Sequence, residues 1–203
     1  MIMNKQHNWI VFDFDGTLVD SLNVMYLVYV KFMESKNLKP LKSEFLHLNG
    51  PTIKEIVVYL KEKYDLNETE FTLNQQYDEL VNSVYLQNVT LFEGRKDLLN
   101  YLKKKHYKLG LVTSANQNLV FSFLDKNKIK IYFDEIVCGD EVNHSKPHPE
   151  IYSKFVSKIK NYNSILVLED SKNGIQSANS AGLKCLNVVG KTSSDIMLMI
   201  DKN

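Results

Sequence analysis

From about residue 92 onward the sequence alternates short apolar runs with amphipathic stretches of roughly 10–15 residues, an alternation that few folds accept. The runs at 108–113, 135–138, 164–168 and 184–189 are short and rich in branched residues, so they predict strands. Helices are predicted over 95–106, 116–127, 148–160 and 172–181. An isolated run, Trp9-Ile10-Val11-Phe12, predicts one further strand near the start. Strands covered on both faces read as continuous apolar runs, and strands separated by helices form a parallel sheet. The expected fold class is therefore α/β, a Rossmann-like, doubly wound parallel sheet.

Between about 21 and 87 the rhythm is different. No strand pattern is present, and helical patterns cover 21–35, 51–64 and 68–86. Pro51 is read as a first helical residue, a position that favours proline, with Asn37 to Pro40 and Gly50-Pro51 as punctuation. The expected organisation is an α/β core built from 1–20 and 88–203, with a helical insertion over 21–87. The tail beyond Gly190 reads as a loosely held helix or a frayed end.

Composition narrows the partners. With 203 residues, 44% hydrophobic and 24% charged, the chain can bury a sizeable core, which excludes collagen-like and wholly disordered readings. Lys+Arg total 25 against 24 Asp+Glu, and this formal charge of +1 lacks the basic excess of a nucleic-acid binder. A small anionic ligand stays open, because a local pocket can be positive on a neutral protein. Cys138 and Cys185 are too few for a disulfide framework or a four-cysteine zinc site, and read as unreactive thiols in a reducing compartment. No segment approaches the ~18–20 apolar residues of a membrane span, and the run at 9–12 is broken at once by Asp13 and Asp15. A cytoplasmic protein without membrane partners is expected.

In an open parallel sheet, ligands bind beyond the carboxyl ends of the strands. Those ends carry Asp13-Phe14-Asp15-Gly16-Thr17, then Thr113-Ser114-Ala115-Asn116, then Lys146-Pro147 after a strand and loop, then Glu169-Asp170-Ser171. Four carboxylates, two hydroxyls and one lysine thus meet on one edge. Carboxylates this close repel each other, and hard oxygen ligands beside a phosphate favour Mg²⁺ as the balancing cation. A calcium loop starting at Asp13 is excluded, because its twelfth position falls on Val24. Lys146 is placed to offset both Asp13 and a bound phosphate. Thr113 and the Ser114 amide are candidate phosphate donors, and Asn116 is a candidate N-cap.

These four segments, in this order, resemble the motifs of the haloacid dehalogenase (HAD) superfamily of phosphotransferases. The segments are Asp13 to Ser21, the strand ending in Thr113, Lys146-Pro147, and Glu169 to Ile175. The resemblance runs from about residue 9 to 190 and is to the helical-cap branch that includes phosphoglycolate phosphatases and β-phosphoglucomutase-like phosphatases. It implies an Mg²⁺-dependent phosphatase acting on a small phosphorylated metabolite through an aspartyl-phosphate. By the same resemblance Asp13 is the nucleophile and Asp15 the acid and base. Mg²⁺ is implied to sit on Asp13, the Asp15 carbonyl and Asp170, with Glu169 in or just outside its ligand shell. Thr113, Ser114 and Lys146 are implied to bind phosphate.

Departures from the pattern select among the family's branches. Asp15 argues against dehalogenases, whose halide leaves unprotonated, and against phosphonatases, which carry a small residue there. A phosphosugar mutase is the alternative, but Met25 stands where mutases place a cap histidine. Asn49-Gly50-Pro51-Thr52 likewise stands where their cap loop carries arginine. A non-catalytic phosphate or metal sensor is a third reading. The insertion is expected to act as a cap, with Asn49, Gly50, Thr52 and Lys54 reading the leaving group and His47 an ordinary surface residue. The expected state is a monomer.

Overall fold

The computed structural model describes residues 7–48, 51–160, 162 and 164–203. In chain order the elements begin with β1 (Trp9–Phe12), β2 (Val19–Asp20), α1 (Leu22–Ser35), α2 (Lys42–His47), α3 (Ile53–Tyr64), α4 (Glu70–Asn88) and β3 (Thr90–Leu91). There follow α5 (Arg95–Lys104), β4 (Lys108–Val112), α6 (Gln117–Lys126), β5 (Glu135–Val137), α7 (Glu150–Lys158), β6 (Ile165–Glu169), α8 (Lys172–Ser180), β7 (Lys184–Asn187) and α9 (Ser193–Asp201). Asp20–Thr90 forms one compact unit, all but wholly helical, and the remaining described chain forms the other.

The second unit is the α/β fold expected. Its five strands are parallel, in the order β5-β4-β1-β6-β7. The chain steps outward from β1 through β4 to β5, then returns to the other side of β1 for β6 and β7. Such a reversal leaves a crevice at the carboxyl ends of the central strands. All residues of β1 and β6 are buried, as required of central strands with helices on both faces. On one face Trp9 and Val11 join Val167 beneath Ile151, Tyr152 and Phe155 of α7. Register then sets the site. Phe12 lies opposite Leu111 of β4 and Leu168 of β6, so Asp13, Val112 and Glu169 follow side by side on adjacent strands.

The expectations for elements hold to within a few residues, with three corrections. Pro51 is not the first helical residue: Thr52 is the N-cap of α3, in a capping box with Glu55. The six-residue α2 was not expected, since it is too short to show a helical period and has no side-chain cap. The C-terminal tail is firmly held. In α9, Ile196 and Ile200 are buried and Thr192 with Asp195 closes a capping box. The buried Arg95 of α5 also donates to Ser193 Oγ at 2.9 Å and to the Lys191 carbonyl at 3.3 Å.

The helical unit is organised around a buried carboxylate. Glu44 of α2 accepts hydrogen bonds from the hydroxyls of Tyr29 and Tyr64, the latter at 3.0 Å, and from Lys63 Nζ at 2.5 Å. Burial alone would raise the Glu44 carboxyl, but these donors hold it below the usual carboxylate range. Glu44 therefore contributes stability above pH ~4, its unfolded range, and loses that contribution as pH falls through its lower folded value. Glu44→Gln should weaken this unit by about 1–3 kcal/mol at neutral pH, because Tyr29, Tyr59, Tyr64 and Lys63 lose an ionised acceptor. Hydrogen exchange of α1 and α3 amides is the readout. The variant should show faster exchange at pH 7 and a smaller further loss on acidification than the wild type.

Candidate active site

The site begins where β1 ends. The Asp13 amide donates to the Leu168 carbonyl at 3.0 Å, which carries the strand ladder one residue further and buries the Asp13 side chain. The chain then turns sharply. Gly16 N–H donates to the Val19 carbonyl at 2.9 Å, and Leu18 and Val19 both donate to the Phe14 carbonyl. Gly16 has a φ of +82°, and a Cβ there would lie 2.2 Å from Asp170 Oδ2. Only glycine satisfies both the conformation and the close approach. The same turn directs Thr17 Oγ1 to donate to Asp170 Oδ1 at 3.1 Å. Asp15 is half-buried in this turn and forms an isolated backbone bridge with Val19.

Lys146 enters from the loop between β5 and α7 and is buried at its tip. Its Nζ donates to Asp13 Oδ1 at 2.6 Å, to Glu169 Oε1 at 2.7 Å and to the Val112 carbonyl at 3.3 Å. Its three N–H groups are thus directed at three neighbouring strands. Glu169 is fully buried, and both of its oxygens are engaged. Oε1 takes Lys146 and, at 3.4 Å, the Tyr152 hydroxyl; Oε2 accepts from the Ser171 amide at 2.9 Å and its hydroxyl at 3.0 Å. Gly174 of α8 makes room for this carboxylate, since a Cβ there would lie 1.6 Å from Oε1. After β4, Thr113 is buried and its hydroxyl oxygen accepts from the Ala115 amide at 3.0 Å. Asn116 caps α6 by accepting from the Leu119 amide at 2.9 Å.

The electrostatics follow from this crowding. Burial, then the Glu169 charge, pushes Asp13 well above its ordinary range, with Lys146 pulling the other way. Asp170 is raised to about 6 by burial and Glu169, partly offset by the Thr17 bond. Burial opposes the charge on Lys146, but Asp13 and Glu169 outweigh it and hold the ammonium protonated. Asp13, Glu169 and Asp170 each offer an oxygen within 4.8 Å of the others. Three acids against one lysine leave a net negative nest of hard oxygen donors, the chemistry that suits a divalent cation of the Mg²⁺ class.

Asp13, Lys146, Glu169 and Asp170 therefore come together, with Thr113 and Asp15 on the adjoining strand-end segments. Thr52 and Lys54 lie on the helical unit. The Thr52 hydroxyl is engaged with Glu55 in the capping box, and Lys54 is exposed. Asn49 and Gly50 lie outside the described residues. His47 is at the surface, its Nδ1 2.7 Å from the Ser43 carbonyl oxygen. Three contributors had no role assigned from sequence: Thr17, Tyr152 and Gly174. Thr17 and Gly174 stand inside the motifs, but their use depends on tertiary contacts. Tyr152 gives no signal beyond an apolar helix position.

A doubly wound parallel sheet with an acid–lysine nest at its switch point defines a Rossmann-like α/β protein whose site is built to balance anionic charge. The model of the haloacid dehalogenase-like hydrolases matches residues 10–188, and the chain belongs to that family. It is similar to the phosphorylated carbohydrates phosphatase of Thermotoga maritima, 30% identical over 86% of this chain and 82% of that protein. It is 27% identical to the pyrophosphatase PpaX of Oceanobacillus iheyensis, over 86% of this chain and 80% of the relative. Among solved structures, a predicted phosphoglycolate phosphatase from Haemophilus somnus superposes with a TM-score of 0.78 at 27% identity, covering 91% of this chain and 86% of that one.

Asp170 holds its proton more tightly folded than unfolded, so the metal-free protein gains stability from it as pH falls from 7 towards ~4. In EDTA, Asp170→Asn should remove this gain and raise the thermal midpoint at pH 7, whereas added Mg²⁺ should stabilise the wild type more at pH 7 than at pH 5. Gly16→Ala should destabilise the protein by at least about 1 kcal/mol, the cost of a non-glycine residue at positive φ, and by displacing Asp170 should also reduce the Mg²⁺-induced stabilisation. Thermal melts with and without Mg²⁺ check both.

Proposed function

We propose that the chain is a phosphatase that hydrolyses a small phosphomonoester, such as a sugar or polyol phosphate or phosphoglycolate, through an aspartyl-phosphate on Asp13. The observation that carries this reading is Lys146 Nζ held between Asp13 and Glu169 at 2.6 and 2.7 Å, all three buried, at the strand ends. A carboxylate that attacks an anionic phosphate needs its charge offset and its direction fixed, and this lysine supplies both. The similarity to a phosphatase of phosphorylated carbohydrates supports the substrate class.

Asp13, Asp170 and the Asp15 carbonyl would hold Mg²⁺. When bound, the ion offsets charge on the nucleophile and on the transferring phosphoryl group. Glu169 acts mainly by holding Lys146, since both its oxygens are already engaged. The Thr113 hydroxyl accepts from the Ala115 amide, so its own proton is left to donate to a phosphate oxygen, beside the Ser114 amide. Asp13 attacks phosphorus, the bond to the leaving oxygen breaks with its electron pair, and Asp15 delivers the proton that oxygen needs. Asp15 then takes a proton from the attacking water, the acyl-phosphate bond breaks, and phosphate and free Asp13 are released. The helical unit would act as a cap that reads the leaving group and excludes water, with Thr52 and Lys54 among its polar groups.

The test is Mg²⁺-dependent phosphate release over a panel of sugar phosphates, polyol phosphates, phosphoglycolate and pyrophosphate. Asp13→Asn should lower turnover by at least about 10³-fold, as expected for loss of a nucleophile. Asp15→Asn should lower it substantially for esters with poor leaving groups and less for aryl phosphates, which need little protonation. Interconversion of glucose 1-phosphate and glucose 6-phosphate without phosphate release would overturn the reading in favour of a mutase. Turnover that survives Asp13→Asn would overturn the assignment of the nucleophile.

A further inference from the structure

We propose that the loop carrying Lys146 holds a second cation site, formed by His144, His148 and Glu150, that takes a transition-metal dication of the Zn²⁺ class. The segment reads His144-Ser145-Lys146-Pro147-His148-Pro149-Glu150, so the two imidazoles flank the lysine while its own side chain is buried among the acids. A nitrogen from each imidazole and a Glu150 oxygen lie within 4.8 Å of one another. His144 Nδ1 is 2.7 Å and His148 Nδ1 3.9 Å from Glu150 Oε2, and the two rings approach to 4.6 Å between centroids.

Tetrahedral coordination at ~2.1 Å places ligand atoms roughly 3.4 Å apart, between those two observed separations. Small side-chain rotations would therefore close the set. Both histidine side chains are free to make them, being 66% and 53% exposed. Glu150 is already oriented as a ligand of this kind requires. Its Oε1 accepts from the Asn143 amide at 2.9 Å and its Oε2 from the His144 amide at 3.0 Å, which fix the carboxylate in place. The contact from the Glu150 amide to His148 Nδ1 is long, 3.3 Å, and easily exchanged for a metal bond.

Ligand chemistry separates this site from the acid nest. Two imidazoles with one carboxylate suit Zn²⁺, Ni²⁺ or Cu²⁺, whereas the all-carboxylate nest suits Mg²⁺. With three protein ligands and open positions facing solvent, a bound cation would keep water and bind reversibly. It would also tie the Asn143–His148 loop to the first turn of α7, on either side of Lys146.

The experiment is a calorimetric titration of the full chain with Zn²⁺ in excess Mg²⁺. One Zn²⁺ equivalent is expected in the wild type and in Asp13→Asn, which removes one carboxylate of the acid nest. His144→Ala and His148→Ala should each weaken it at least about tenfold, since losing even an outer partner of a ligand costs that much. Thermal midpoints in EDTA, expected to match the wild type, verify that the variants are folded. The proposal is overturned if both histidine variants bind Zn²⁺ like the wild type, if the wild type shows no such equivalent, or if the equivalent disappears in Asp13→Asn.

Discussion

The three-way engagement of Lys146 is the interaction on which the rest of the site depends. Its ammonium meets the Asp13 carboxylate, the Val112 carbonyl and the Glu169 carboxylate, residues that the sheet register places abreast at the ends of β1, β4 and β6. A buried ammonium costs several kcal/mol to desolvate unless its charge and donors are all answered. Here the parallel register answers them, because equal strand ends bring two acids and a carbonyl to one point. The fold therefore produces the site's geometry as a consequence of strand alignment. A one-residue slip of β6 would remove Glu169 from the lysine and turn its side chain to the other face.

The excess of acid over base has a second consequence. One lysine cannot neutralise Asp13, Glu169 and Asp170 together, and burial first, then the Glu169 charge, raises the Asp13 and Asp170 carboxyls. Glu169, with four hydrogen-bond donors on its two oxygens, is the carboxylate the protein itself satisfies. Asp170, with the Thr17 hydroxyl on one oxygen and partial solvent access, is the less satisfied of the two, as the proposed cation site requires. Adjacent residues of one motif thus carry different duties, and burial decides which.

Much of this was legible in the sequence, for identifiable reasons. The strands were readable because doubly covered strands are uniformly apolar, and the strand ends then exposed Asp13, Lys146, Glu169 and Asp170 by position alone. Partners that depend on three-dimensional approach were not readable. Nothing local to Thr17 announces a bond to a residue 153 positions away, and nothing local to Tyr152 announces the Glu169 carboxylate. The buried Glu44 network was hidden for the same reason: α2 is too short for a period, and its acid looks like a surface residue until Tyr29, Lys63 and Tyr64 close round it.

The tail shows how a peripheral element can bear on the centre. Its sequence reads as a loosely held helix or a frayed end, yet Arg95 ties it to the turn that follows Asp13. Arg95 Nε donates to the Thr17 carbonyl at 2.8 Å while its other nitrogens reach Ser193 and Lys191. The guanidinium is buried among neutral acceptors, and burial lowers its affinity for its proton. A charged group accepts such surroundings only when several dipoles point at it, so the Thr17 carbonyl and the start of α9 are held by the same cation. Thr17 in turn fixes Asp170 through its hydroxyl. The chain from Ser193 through Arg95 and Thr17 to Asp170 makes the C-terminal helix part of the scaffold that sets the Asp170 carboxylate, although no residue of α9 lies in the acid nest.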